Sequence, residues 1–195
     1  MSGVPANDAG FHASLDHYYD NLSSRQCHGR KLPCSVGGTA PCITQRDADA
    51  VYRFGHWEYS HIYRGAGPES LAASVASFGI WVAELAENMR AVMEGRGGET
   101  VYRHNVAHDE SVSRLLGVLQ ADEMVWPGMG SEVVFELYGR DGKHFARVLF
   151  SGKPLKSSNP SLGVMDLLPA ETLLGYFDGL VGKGAGLVMQ KCNAS

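Results

Sequence analysis

The sequence predicts an α/β protein in which helices cover a sheet and a helical segment comes first. Three stretches carry that reading. Leu71, Val75, Phe78, Val82, Leu85, Met89 and Val92 recur at spacings of four and three, which aligns them as one apolar stripe of a long helix. Thr100 to Val106 reads as a strand that stops at His108-Asp109 and runs at once into a helix with Val112, Leu115, Leu116 and Leu119 on one face. Val133 to Tyr138 and His144 to Phe150 flank Arg140-Asp141-Gly142-Lys143, whose Asp-Gly pair suits the tight turn of an antiparallel hairpin.

Composition allows such a fold and narrows the partners. A chain of 195 residues, 44% hydrophobic and 19% charged, can bury a core. A formal net charge of −4 and the absence of any Lys/Arg run exclude a nucleic-acid partner held by electrostatics. No apolar run is expected to cross a bilayer, so no membrane partner is expected. Met1 to Asp8 has neither the basic nor the apolar region of a signal peptide. Cys27, Cys34, Cys42 and Cys192 form an even set that suits two disulfides, with three pairings open. The sequons Asn21-Leu22-Ser23 and Asn193-Ala194-Ser195 agree with a secretory chain, while proline excludes Asn159-Pro160-Ser161. Secretory character without a leader is expected of the later part of a longer protein.

In chain order, residues 1 to about 45 show little regular pattern. Phe11 to Tyr19 suits a short helix, and Cys27 to Cys42, with its glycines and prolines, suits a loop tied by cysteines. Cys27, His28, Cys34 and Cys42 follow no zinc-finger spacing, and disulfides explain the cysteines better. Thr44 suits the cap of a helix with acids in its first turn. The aromatic stretch Gly55 to Arg64 suits core filling, and nothing near His56 and His61 completes a metal shell. Gly65-Ala66-Gly67-Pro68 breaks the chain before the striped helix, and Gly95 with Gly97-Gly98 ends that helix. Trp126 to Ser131 reads as a loop. Pro169 suits the start of a last helix, with Glu171 in its first turn and Leu173, Leu174, Phe177, Leu180 and Val181 apolar, before a Gly-rich tail.

The candidate chemistry lies at the strand-to-helix junction. Asp109 is expected as the N-cap, its carboxylate accepting free N–H groups of the first turn. The junction sets an imidazole and a carboxylate beside the positive end of a helix, where an anion such as phosphate is favoured. Cleaving a phosphate monoester needs groups that hold the phosphoryl oxygens, a nucleophile, and an acid for the leaving alcohol. Protonated His108 suits the first role and Asp109 the third, if burial or the phosphate raises its pKa. A capping aspartate beside a structural histidine gives the same dipeptide, so the pair alone does not single out this chemistry.

The surrounding blocks do. Tyr102 to Leu119, Trp126 to Tyr138, and Arg147-Val148-Leu149-Phe150 with Gly152-Lys153-Pro154-Leu155 resemble the C-terminal part of the histidine acid phosphatases. These belong to the acid phosphatase and phytase branch of the histidine phosphatase superfamily, and the wording is nearest to fungal and other lower-eukaryote members. Cys42 to Tyr63 and Phe78 to Leu85 resemble the region where the family's inserted helical domain gives way to its core. The resemblance spans most of residues 27 to 192. It implies a partial histidine phosphatase fold with a mixed, mostly parallel sheet. Residues 1–98 would end the inserted domain, and 99–195 would form the C-terminal part of the core. It also implies a phosphorylated small-molecule substrate, no metal and no cofactor, with secretion or a vacuolar or lysosomal location.

In that family a histidine of an Arg-His-Gly-x-Arg-x-Pro motif attacks phosphorus. The resemblance assigns two positions here: His108 contacts phosphate and Asp109 donates the proton. The nucleophile motif is absent; Arg103-His104-Asn105 is the nearest pairing and lies in the expected strand. The chain alone is therefore expected not to turn over phosphomonoesters. The alternative is a non-catalytic protein that binds a phosphorylated ligand or a partner. With the sheet's other strands missing, an open edge and self-association are expected.

Overall fold

The computed structural model describes residues 7–35, 41–65 and 67–193. The leader reading at residues 1–6, the middle of the cysteine loop, Ala66 of the glycine-rich break and the end of the Asn193 sequon lie outside the described residues. Contacts divide the chain into two compact units, Met1–Tyr59 and Ser60–Ser195.

The first unit is helical: α1 (Ala9–His12), α2 (Asp16–Cys27) and α3 (Gln45–Ser60). The expected short helix is two helices, and α2 runs further than its sequence suggests. Its apolar residues are too few to make a visible stripe; Tyr19 and Leu22 are the buried ones. Tyr19 packs edge-on against Tyr52 at 5.0 Å and against His56 at 5.9 Å, and the Tyr52 hydroxyl donates to Gln26 Oε1. Burial pushes the His56 imidazole pKa down, as expected for a core histidine. Thr44 caps α3: its hydroxyl accepts from the Asp47 N–H, and Asp47 Oδ2 accepts from the Thr44 N–H at 2.9 Å. The Thr44 hydroxyl and backbone hold the Asp47 carboxyl below its ordinary value. Cys34 and Cys42 form a disulfide. The expected second one does not form, and Cys27 is an exposed thiol.

The second unit opens on a π-helical turn, His61–Gly65. It continues through α4 (Pro68–Met93), α5 (Asp109–Val118), β1 (Val133–Arg140), β2 (Lys143–Phe150), β3 (Lys153–Pro154), β4 (Leu168–Pro169), α6 (Ala170–Val181) and α7 (Gly186–Asn193). The α/β class stands, but the sheet does not. It is antiparallel: β2 pairs with β1 along one edge and with β3 and β4 on the other. The expected parallel strand, Thr100 to Val106, forms no ladder. Val101, Tyr102 and Val106 are 99%, 72% and 88% exposed, so nothing in the described chain supplies the neighbour a strand requires. The hairpin is as read. Asp141 and Gly142 both take positive φ, the two-residue turn that matches strand twist. A second such turn, Ser151-Gly152, folds β3 back on β2.

α4 buries part of its apolar stripe together with the small residues beside it. Val75, Val82 and Met89 are buried, but Ser70, Ser74, Gly79 and Ala86 share that face, while Val92 is exposed. Small residues let neighbouring helices come close. A methyl on Gly79 would lie 2.8 Å from Val188 Cγ2, and one on Gly117 of α5 would lie 2.7 Å from Ser74 Oγ. At 26 residues, with a mean hydropathy of 1.2 over its most apolar stretch, α4 is long and apolar enough to cross a bilayer. That corrects the sequence reading; here its buried face packs on α5 and α6.

Phe177, Leu173 and Val181 of α6, which packs on α4 and β2, are fully buried, as are Val82, Leu116, Val118, Val148, Leu162 and Met165. A polar cluster closes the C-terminal end of α5. The Tyr176 hydroxyl donates to the Val118 carbonyl, Ser157 Oγ to Leu119, the Ser158 N–H to Gln120, and Arg64 Nε to Ala121. Gln120 Nε2 donates in turn to the Tyr176 hydroxyl at 2.8 Å. These donors satisfy carbonyls that a helix end otherwise leaves open.

Burial raises the Tyr176 pKa above its ordinary value of 10.0, against smaller opposing effects of Gln120 and Arg64. The folded state therefore holds the phenol neutral. Its contribution to stability is complete below pH 10.0 and is lost as pH rises through the raised value. Tyr176→Phe should lower stability by about 1–2 kcal/mol in urea unfolding at neutral pH, because the Val118 carbonyl loses its donor. It should also shrink the loss of stability above pH 10.0; an unchanged midpoint at both pH values would show the hydroxyl to be idle. Gly117→Ala should destabilise by about 1–3 kcal/mol in the same measurement, through the clash with Ser74.

Candidate functional site

The site begins where the extended segment meets α5. His108 keeps extended backbone, φ −99° and ψ 165°. Its carbonyl accepts from the N–H groups of Ser111 at 3.0 Å and Val112 at 3.1 Å, so His108 is the N-cap and Asp109 the first helical residue. The sequence had placed the cap one residue later. No side chain caps this end. The Asp109 carboxylate instead accepts from the Glu110 N–H at 3.0 Å through Oδ1. Through Oδ2 it accepts from the indole Nε1 of Trp126 at 2.8 Å.

Trp126 is 3% exposed and fixes where the carboxylate points. The loop from Trp126 to Ser131 was read only as a connection; a tryptophan among prolines and glycines is the signal that it has a structural partner. Asp109 is half-buried, and His108 is exposed at the positive end of a ten-residue helix. One turn on, Arg114 is engaged with Ser77 Oγ at 2.6 Å and Glu110 at 3.5 Å. Arg103 and His104 are exposed on the preceding segment.

The structure thus sets His108 and Asp109 side by side at one helix start. Neither of two shallow hollows includes them. One, of about 220 Å³, lies between Arg90, Asp178 and the Gly182-Lys183-Gly184 turn; the other, of about 350 Å³, is lined by Arg25, His28 and Arg30 in the first unit. Among the described residues no group of three or more His, Cys, Asp or Glu side chains is placed to hold a metal ion. Cys34 and Cys42 are consumed by their disulfide, which removes the zinc reading of that loop.

The chain matches no known protein-family model and no curated protein. The geometry therefore stands without outside support. Its chemical content is a fixed carboxylate beside an exposed imidazole at a helix N-terminus.

A double-mutant cycle on Trp126→Phe and Asp109→Ala should give a coupling of about 1–2 kcal/mol in thermal or urea unfolding. A coupling indistinguishable from zero would mean that the indole does not position the carboxylate.

Proposed function

We propose that this chain is the proton-donor half of an acid phosphatase of the histidine type. In this reading His108 and the first-turn N–H groups of α5 hold the phosphoryl oxygens of a small phosphomonoester. Asp109 delivers a proton to the leaving oxygen as its bond to phosphorus breaks, so the alcohol departs neutral. The observation that supports this most is the Trp126–Asp109 hydrogen bond, which fixes the direction of the carboxylate that follows His108 in the chain. The Cys34–Cys42 disulfide agrees with an oxidising compartment. The resemblance of residues 102–119, 126–138 and 147–155 supplies the reaction class.

A covalent mechanism of this type needs a histidine nucleophile, and this sequence has no Arg-His-Gly-x-Arg-x-Pro. The nucleophile would come from outside residues 1–195. By itself the chain binds phosphate and does not turn substrate over.

Two measurements test this. Purified chain assayed on a chromogenic phosphomonoester at acid pH should show no turnover; activity that disappears in Asp109→Asn would prove that a nucleophile is present after all. Titration with inorganic phosphate should shift the His108 imidazole resonances, and His108→Ala should abolish binding. Absence of any phosphate-dependent shift would remove the site.

A further inference from the structure

Two features of the second unit lack a counterpart. β1 is hydrogen-bonded along one edge only, to β2, through eight consecutive residue pairs. β1 has no proline, bulge or lysine to discourage pairing at its other edge, and its charges are Glu136 and Arg140. Glu99 ends a turn, and residues 100–107 after it belong to no helix or strand, with Val101, Tyr102 and Val106 exposed. One is an unused edge, and the other is an unused strand.

Their sequences fit each other in one antiparallel register. Opposing Glu99 to Arg140 places Arg103 opposite Glu136, so two pairs of opposite charge fall in line, joining Glu136 that Arg147 already contacts at 3.3 Å and Arg140 that Asp141 contacts at 3.5 Å. The same register sets Val101 opposite Tyr138, Tyr102 opposite Leu137 and Val106 opposite Val133. The faces also agree. Val133, Phe135 and Leu137 oppose Phe150, Val148 and Ala146 of β2; Val148 and Ala146 are fully buried, so this is the core side of β1. Tyr102, His104 and Val106 would join that side, while Glu99, Val101, Arg103 and Asn105 would join the outer side with Glu136, Tyr138 and Arg140. A shift by one residue would reverse every side chain and place the charges against the core.

We propose that residues 99–107 of one copy of this chain add as a strand to the β1 edge of a second copy. Backbone hydrogen bonds supply the attraction, and the two ion pairs select the register. The inference does not depend on the phosphatase reading, since neither His108 nor Asp109 takes part in the pairing.

Light scattering on the purified full chain should give a mass above that of a single copy. His104→Pro should return it to one copy: β1 turns the N–H and C=O of Glu136 to β2 and those of Phe135 to its open edge, so His104, opposite Phe135, supplies a ladder donor that proline removes. Unchanged circular dichroism would show that the fold survives. Glu99→Arg should weaken association about two- to five-fold per pair, as should Arg140→Glu, and combining both should restore it. For register, Cys27 and Cys192 are first changed to Ser. A Val101→Cys chain mixed with a Tyr138→Cys chain should then cross-link on oxidation, whereas Arg103→Cys with Tyr138→Cys should not. A single-copy mass at every concentration overturns the proposal. So does association that His104→Pro leaves intact, equal cross-linking out of register, or a chain carrying both Val101→Cys and Tyr138→Cys that closes the bond within itself.

Discussion

The second unit depends on how the C-terminal end of α5 is closed. A helix end left in an apolar setting exposes carbonyls that must find donors, and here the successive carbonyls of Val118, Leu119, Gln120 and Ala121 are met by Tyr176, Ser157, Ser158 and Arg64. Those donors come from α6, from the loop after β3 and from the π-helical turn before α4. Each donor contributes modestly, yet each unmade bond would leave a buried acceptor dry. The cluster therefore sets the axial position of α5, and with it the place of His108 and Asp109 at the opposite end. Side-to-side position is set by size: Gly117 lets α5 approach Ser74 of α4 more closely than any larger residue permits.

Much of this architecture was legible where local chemistry decides it. The Asp-Gly turn, the capping box at Thr44 and the Pro169 start of α6 follow from backbone preferences that act within a few residues. Two other features were not, because they depend on contacts distant in sequence. The buried line of α4 runs through Ser70, Ser74, Gly79 and Ala86, and a pattern built on large apolar residues ignores such positions. The strand at residues 100–106 has the right residue types, but strand structure belongs to a pair, and the described chain contains no partner for it. Reading the sheet as mostly parallel followed from that one segment and from family resemblance. The antiparallel sheet comes from two tight turns instead.

The site shows the same division. That His108 and Asp109 lie at a helix start was visible in the sequence; that the imidazole residue is the cap, and that an indole seventeen positions on holds the carboxylate, was not. The difference matters chemically. One oxygen of the carboxylate is held by the first turn of its own helix and the other by the buried Trp126, so its direction is set from both sides. The His108 side chain is exposed.

The two tight turns make β1, β2 and β3 a meander whose partners are near neighbours along the chain, from Arg140 with Lys143 outward. The bonds that close α5 join residues 58, 38 and 57 positions apart. Loop-closure entropy grows with the length of chain enclosed. The sheet thus assembles at little entropic expense, and nearly all of that expense falls on the contacts that seat the candidate site's helix. Shortening the chain between Gln120 and Tyr176 would bear on the helix that carries the imidazole and the carboxylate before it bore on the hairpin.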